Sequence, residues 1–444
     1  MKKNKNLTEG PIWKGILLFA IPLILGNLLQ QLYNTADMVI VGRFVDSNAL
    51  AAVGSSGSFI MLLISFCMGT STGAGVVIAQ YYGANHKERV QEAVHTTLAL
   101  GIILGIVMSI VGVLISPTIL KWMGTPDVVM PDADLYLRIY FIGLLPNVLY
   151  NMAAGVLNAV GNSKRSLLYL AISSVTNIVL DLVFVAGLKM GVAGVAIATD
   201  LSQVISCILI IRYLMKTEDI YKVFLRKVKC HWKMAKRIIG IGLPTGFQNM
   251  VISLSNVMIQ AGINSFGEYA MAGTAAYMKV DGFNILPVTS LSLAATTFTG
   301  QNIGAGKLER VKKGLWVTLG MVMLYTLTSS FLIRTFANPI LRIFTDDAAV
   351  LEYGVLQAQY LCPLYFMIGI MHQLAGTIRG AGKSIPPMVI MLLSLCVFRV
   401  LWVKLAVPHF ETIESVFVAY PISWTIGSIM MGMYVWKGKW LKKT

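Results

Sequence analysis

The sequence predicts an all-α integral membrane protein with twelve transmembrane helices in two pseudo-symmetric six-helix bundles. Three observations carry this: an apolar composition, bilayer-length apolar runs along the whole chain, and an internal repeat. Of the 444 residues 56% are hydrophobic and only 13% are charged, where a soluble domain averages roughly a quarter. Mean hydropathy is +0.72. Runs of roughly 17–25 apolar residues can each cross a bilayer, and they leave no stretch long enough for a separate soluble domain.

The elements follow in order, each bounded by Gly, Pro or charge. The first span, 15–41, follows the basic MKKNKNLTEGPIWKG; its apolar run has no small-residue cleavage site, so a retained helix is expected and not a signal peptide. Spans at 50–79 and 93–116 flank the polar QYYGANHKERV, and the fourth, 135–157, begins after Asp127, Asp132 and Asp134. The fifth, 166–188, follows Lys164-Arg165, and the sixth, 191–214, ends at a long basic stretch. Spans at 237–264, 271–300, 313–336, 352–377, 386–407 and 413–436 complete the set.

Charge orients them. Lys2, Lys3, Lys5, Lys87, Arg89, Lys164, Arg165, the stretch from Arg212 to Arg237, Lys307 to Lys313, Lys383 and the tail Lys437 to Lys443 fall in one set of loops and termini. Asp46, Asp127, Asp132, Asp134, Glu268, Asp346, Asp347, Glu352, Glu411 and Glu414 fall in the other. Lys and Arg favour the cytoplasmic side of short loops, so both termini are expected in the cytoplasm, in a multi-pass protein of the plasma membrane. The net charge of +16 therefore reads as topology, and no nucleic-acid partner is expected. Cys67, Cys207, Cys230, Cys362 and Cys396 show no CxxC or Cys/His spacing, which indicates neither a disulfide framework nor a zinc site.

An offset of about 221 residues aligns the two halves. Pro22 meets Pro244, Asn27 meets Asn249, Gln80 and Gly83-Ala84 meet Gln301 and Gly304-Ala305, and Glu88-Arg89-Val90 meets Glu309-Arg310-Val311. Gly161 and Ser202 meet Gly382 and Ser423. A copy with an even number of spans keeps its orientation, so the halves should be related about the membrane normal. The expected domains are 1–214 as the N-terminal lobe, 215–236 as a cytoplasmic linker, solvated or lying amphipathically against lipid headgroups, and 237–444 as the C-terminal lobe. Two such lobes can enclose a cleft and rock about it, the logic of a secondary transporter.

Ionisable residues within spans are costly and mark functional sites. Asp37, Asp181, Asp200 and Asp281 qualify. Asn177 lies four residues before Asp181 and so on the same helix face, and Thr199 precedes Asp200. Asp37, Asn177, Asp181 and Thr199 can converge either as hard oxygen ligands for Na⁺ or as a carboxylate pair sharing one proton. The second half has Arg399 at the place of Asn177 and Tyr420-Pro421 at the place of Thr199-Asp200, with no acid in span seven, so it is not expected to build the same site. Asp200, Lys279, Asp281 and Arg399 are candidates for a polar network, and His372 reads as a core residue. Tyr33, Met61, Tyr150, Met152, Met278 and Phe283 are candidate substrate contacts, because Met adapts to many shapes and aromatic rings attract organic cations.

The early Pro22 with Asn27, Gln30 and Gln31, the paired AQYYGANHKERV and GQNIGAGKLERV, and VLNAVGNSKRS with TIRGAGKSIPP resemble the multidrug and toxic compound extrusion (MATE) family over essentially the whole chain. That resemblance implies two six-helix lobes exporting drug-like, often cationic compounds against inward Na⁺ or H⁺, with no cofactor and no enzymatic activity. It also implies that Asp37, Asn177, Asp181 and Thr199, which match the cation site of one branch position by position, hold the coupling ion. A second branch carries acids in spans seven and ten, where this chain has Gln260 and His372. The expected partners are small organic substrates and the lipid bilayer, with the chain acting as a monomer. A lipid-linked oligosaccharide flippase is the nearest rival, but intramembrane bases are few. A membrane enzyme is disfavoured by the lack of HExxH and of paired-His metal spacing.

Overall fold

The computed structural model describes residues 7–45 and 47–441. Of the loop charges that orient the chain, Lys2, Lys3, Lys5, Asp46, Lys442 and Lys443 lie outside them. The protein is all-helical, and the twelve expected spans are all present. They are α1 Ile12–Phe44, α2 Ser47–Gly83, α3 Lys87–Trp122, α4 Met130–Ile142 continued by Leu144–Ala159, α5 Ser163–Asp181 continued by Leu182–Gly187, and α6 Gly191–Lys216. In the second half they are α7 Trp232–Asn264, α8 Glu268–Gly304, α9 Leu308–Thr335, α10 Ala348–Leu361 continued to Gly380, α11 Ile385–Met391 continued to Leu405, and α12 Ile413–Trp436. Among the described residues ten are long and apolar enough to cross a membrane, and α4 makes an eleventh despite a 50° bend at its break. The twelfth, α8, has 37 residues, but Lys279, Asp281 and a polar final third dilute its apolarity.

The chain divides into two compact units, and the division does not follow the sequence halves. Residues 22–246 form the first unit; residues 7–21 and 247–441 form the second. The start of α1 therefore packs in the second unit, and the start of α7 packs in the first. Both helices change unit beside a proline, Pro22 and Pro244, where the missing N–H loosens the helix ladder.

In the first unit the incoming start of α7 lies against α2 through glycines. A Cβ on Gly69 would stand 2.2 Å from Gly246 Cα, and one on Gly73 would stand 2.5 Å from Gly242 N. Glycine at a four-residue spacing on both helices brings the backbones this close. Arg237 Nη2 then donates to Gln80 Oε1 at 2.6 Å and Nη1 to the Tyr81 hydroxyl at 2.7 Å. The second unit repeats the clamp on the other incoming segment. Leu7 N–H donates to Gln301 Oε1 at 3.0 Å, and Arg310 Nη2 donates to Gly10 O at 2.8 Å. The paired motifs after α2 and α8 thus fasten a segment that arrives from the other end of the chain.

Within the linker, 215–236, some side chains are buried against the first unit. Tyr221 and Val223 are buried at 1% and 2% exposure. Phe224 N–H donates to His95 Nε2 at 3.0 Å, and His231 N–H donates to Thr96 Oγ1 at 3.3 Å. Its basic character is carried by side chains such as Lys222 and Lys227, whose ammonium groups lie 5.7 and 5.1 Å over the Phe224 ring.

Two π-helical turns set the register of the repeat. One lies late in α5, Leu182–Gly187, and the other lies early in α11, Leu392–Val397. Each absorbs one extra residue, because i→i+5 bonding widens the turn. Gly161 and Gly382, like Ser202 and Ser423, stand 221 apart. Between the two bulges the offset becomes 222, which makes Arg399 the structural counterpart of Asn177 and Val403 that of Asp181.

Candidate functional site

The first unit brings Asp37, Asn177, Asp181 and Thr199 together. Asp37 projects from α1, Asn177 and Asp181 from one face of α5, and Thr199 from α6; all four are buried, with Asp181 at 0% exposure. Asp181 closes the regular part of α5 and is followed directly by the π turn, a distortion often found at functional sites. Asn177 Nδ2 donates to Thr199 Oγ1 at 3.5 Å. The carboxyls of Asp37 and Asp181 face each other close enough for one proton to join them.

The remaining valence of this cluster is acceptor only. No donor reaches Asp37 Oδ1, Asn177 Oδ1, or either carboxyl oxygen of Asp181. Buried polar atoms normally find partners, and two adjacent carboxylates repel at short range. Four oxygens lacking a donor, on side chains that include two adjacent carboxyl groups, can take a compact monovalent cation, either H⁺ between the carboxyls or Na⁺ among the oxygens. Among the described residues no three His, Cys, Asp or Glu side chains gather as a metal site.

Two tyrosines at this site escaped the sequence reading. Tyr136 and Tyr140 in α4 stack at 6.4 Å between ring centroids, and Tyr136 lies in the field of Asp37, Asp181, Asp200 and Tyr33. Their four-residue spacing puts both on one helix face. That spacing was the available signal, but the acidic loop just before Leu135 drew the reading toward a helix end.

The other candidates sit elsewhere. Asp200 follows Thr199 but turns to the break in α4, where a Cβ on Gly143 would fall 1.9 Å from its Cγ. Tyr33 is half-buried beside Asp37. Met61 and Phe283 are exposed at 63% and 40%, and Met278 is half-buried against the core of the second unit. Tyr150 and Met152 are core residues, the Tyr150 hydroxyl donating to Ser166 O at 3.2 Å. In the second unit Lys279 is exposed and Asp281 is half-buried, so the two do not neutralise each other. Gln260 is held by Asn264 at 3.0 Å, and the backbone carbonyl of His372 accepts from Ser292 Oγ at 2.6 Å. Arg399 is buried and bonded, as described below.

Comparison with known proteins agrees with this architecture. The MatE family model matches residues 22–183 and again 244–403, once per repeat. YoeA of Bacillus subtilis (strain 168), named a probable multidrug resistance protein, is 30% identical over 98% of this chain and 96% of its own length. NorM of Thermotoga maritima, also named a probable multidrug resistance protein, is 26% identical over 97% of this chain and 94% of its own. A solved outward-facing multidrug resistance MATE family transporter of the MOP superfamily superposes with a TM-score of 0.91 at 25% identity, covering all of both chains. With one family match over each copy of the repeat and relatives spanning nearly the whole length, the chain belongs to the MATE family, a family of efflux transporters and not of enzymes.

Proposed function

We propose that this protein is a multidrug exporter of the plasma membrane that moves small organic, often cationic compounds outward in exchange for inward H⁺ or Na⁺. The relatives named as multidrug resistance proteins support the substrate class. The observation that carries the coupling is the pair Asp37 and Asp181, with their donor-free buried oxygens beside Asn177 and Thr199. A proton would be held between the two carboxyls; Na⁺ would be held by Asp37 Oδ1, Asn177 Oδ1 and the Asp181 carboxylate. Loss of the cation leaves two carboxylates facing each other on α1 and α5, and their repulsion favours a state in which the helices part. A ligand shifts a conformational equilibrium only through its differential affinity for the two states, and here the cation has that preference because only the closed cluster offers it every oxygen.

The test is efflux of ethidium from loaded cells, with membrane level measured in parallel. Asp37→Asn and Asp181→Asn should each abolish export while still reaching the membrane, and wild-type efflux from either would remove the site. Uptake into inside-out vesicles under separately imposed Na⁺ and pH gradients names the ion, and uptake under neither would end the exchange reading.

A further inference from the structure

The equivalent clusters of the two units differ in charge: the first carries two acids and no base, the second one base and no acid at the matching positions. In the register of the repeat, Asp37 corresponds to Ile259, as Pro22 to Pro244, while the π turns align Asn177 with Arg399 and Asp181 with Val403, and Thr199 corresponds to Tyr420. Both carboxylates of the first unit are thus replaced by apolar side chains, and a guanidinium enters at the central amide position. The contacts follow the same plan. Where Asn177 bonds Thr199, the Arg399 guanidinium carbon lies 4.5 Å from the centroid of the Tyr420 ring. Ser202 Oγ donates to Thr199 O at 2.7 Å, and its counterpart Ser423 Oγ donates to Tyr420 O at 2.7 Å while accepting from Arg399 Nε at 2.8 Å. Arg399 Nη1 donates to Asn256 Oδ1 at 3.3 Å, and Asn256 is the counterpart of Asn34, one helical turn before Asp37.

Arg399 is 3% exposed, and an isolated buried cation is costly unless compensated. The compensation is spread over several groups. Asp281 on α8 lies within electrostatic reach together with Tyr365 and Tyr420, yet no direct ion pair joins it to Arg399 among the described residues. Asp281 Oδ1 meets no donor. The second unit therefore has a cation, a ring face beneath it, two neutral oxygen acceptors and a counter-carboxylate at a distance. This is the outline of a cation-binding pocket whose ligand is covalently attached.

We infer that the Arg399 guanidinium is a tethered cation: it fills in the second unit the position that the first unit leaves to a free monovalent cation, and its removal opens a pocket for guanidinium-like cations. The comparison with a free ion rests on the function proposed above, but the pocket and its test do not use coupling. A fixed charge cannot be exchanged, so the second unit stays permanently loaded and ion exchange belongs to the first alone.

The experiment uses the purified full-length protein and thermal unfolding. Arg399→Ala should lower the unfolding midpoint by roughly 3–5 °C, as expected when half-buried Asp281 and the acceptors Ser423 and Asn256 lose their cation. Guanidinium at about 10 mM should recover at least half of that loss by binding the vacated pocket, whereas an equal concentration of urea, its uncharged isostere, should recover none. Neither compound should move the wild type. Recovery by urea as well as by guanidinium, or by neither, overturns the inference. Should Arg399→Ala not yield folded protein, Arg399→Met is compared with Arg399→Met combined with Asp281→Asn. Removing both charges should be better tolerated than removing one, and a double variant no more stable than the single one overturns the tethered-cation reading equally. Failure of this test leaves ethidium efflux and its dependence on Asp37 untouched.

Discussion

At the scale of single residues, the proposed cation site rests on oxygens with no donor and on the neighbours that orient them, and each can be removed separately. Thr199→Val keeps the shape and deletes the hydroxyl that meets Asn177 at 3.5 Å. A lost polar contact of about 1–3 kcal/mol should raise the cation concentration for half-maximal efflux roughly tenfold or more, read from export rate against Na⁺ or H⁺ concentration. Gly143→Ala tests a different neighbour: its Cβ would fall 1.9 Å from Asp200 Cγ, so α4 must shift at its bend. The variant should lose export, and Gly320→Ala, which meets nothing within 4 Å, should behave as wild type. The four residues of the proposed cation site could be picked out in the sequence because acids are rare in lipid-facing spans and Asn177 and Asp181 share a helix face. Tyr136 and Tyr140 were not, because aromatic residues near a helix end have several ordinary uses and nothing in one sequence separates them.

At the scale of helices, the period of the apolar runs placed all twelve spans, but periodicity does not register a bulge. The π turns in α5 and α11 insert one residue each without breaking the hydrophobic pattern, and they show in the sequence only as a repeat offset that changes from 221 to 222 and back. Helix contacts were likewise hidden. Gly69 and Gly73 look like ordinary small residues of a membrane helix, yet Gly242 and Gly246 lie directly against them. Gly73→Leu should prevent α7 from seating and destabilise the protein by about 2 kcal/mol or more, as overpacking of a tight contact does. Thermal unfolding checks this, with Gly320→Leu as the unaffected control.

At the scale of the molecule, the duplication was plain in the sequence, but the membership of each unit was not. The linker looked like the natural boundary, whereas the compact units exchange the starts of α1 and α7. A chain cut within 217–231 makes the point testable. The N-terminal fragment lacks 232–246 and the C-terminal fragment lacks 7–21, so each should be unstable when produced alone. Produced together they should restore ethidium efflux, and a stable, monodisperse single fragment would contradict the exchange.

The exchanged half-helices also carry a history and a timetable. Two identical six-helix proteins that each lent their first half-helix to the other would form a reciprocally swapped dimer, a low-cost route to association. Fusing such a pair through a linker reproduces the connectivity seen here, which makes a swapped homodimer a natural ancestor. On the ribosome the order then becomes awkward. Residues 7–21 are synthesised well before their packing partners at Gln301 and Arg310, which emerge some three hundred residues later, so this segment must wait until more than two-thirds of the 444 residues have been made.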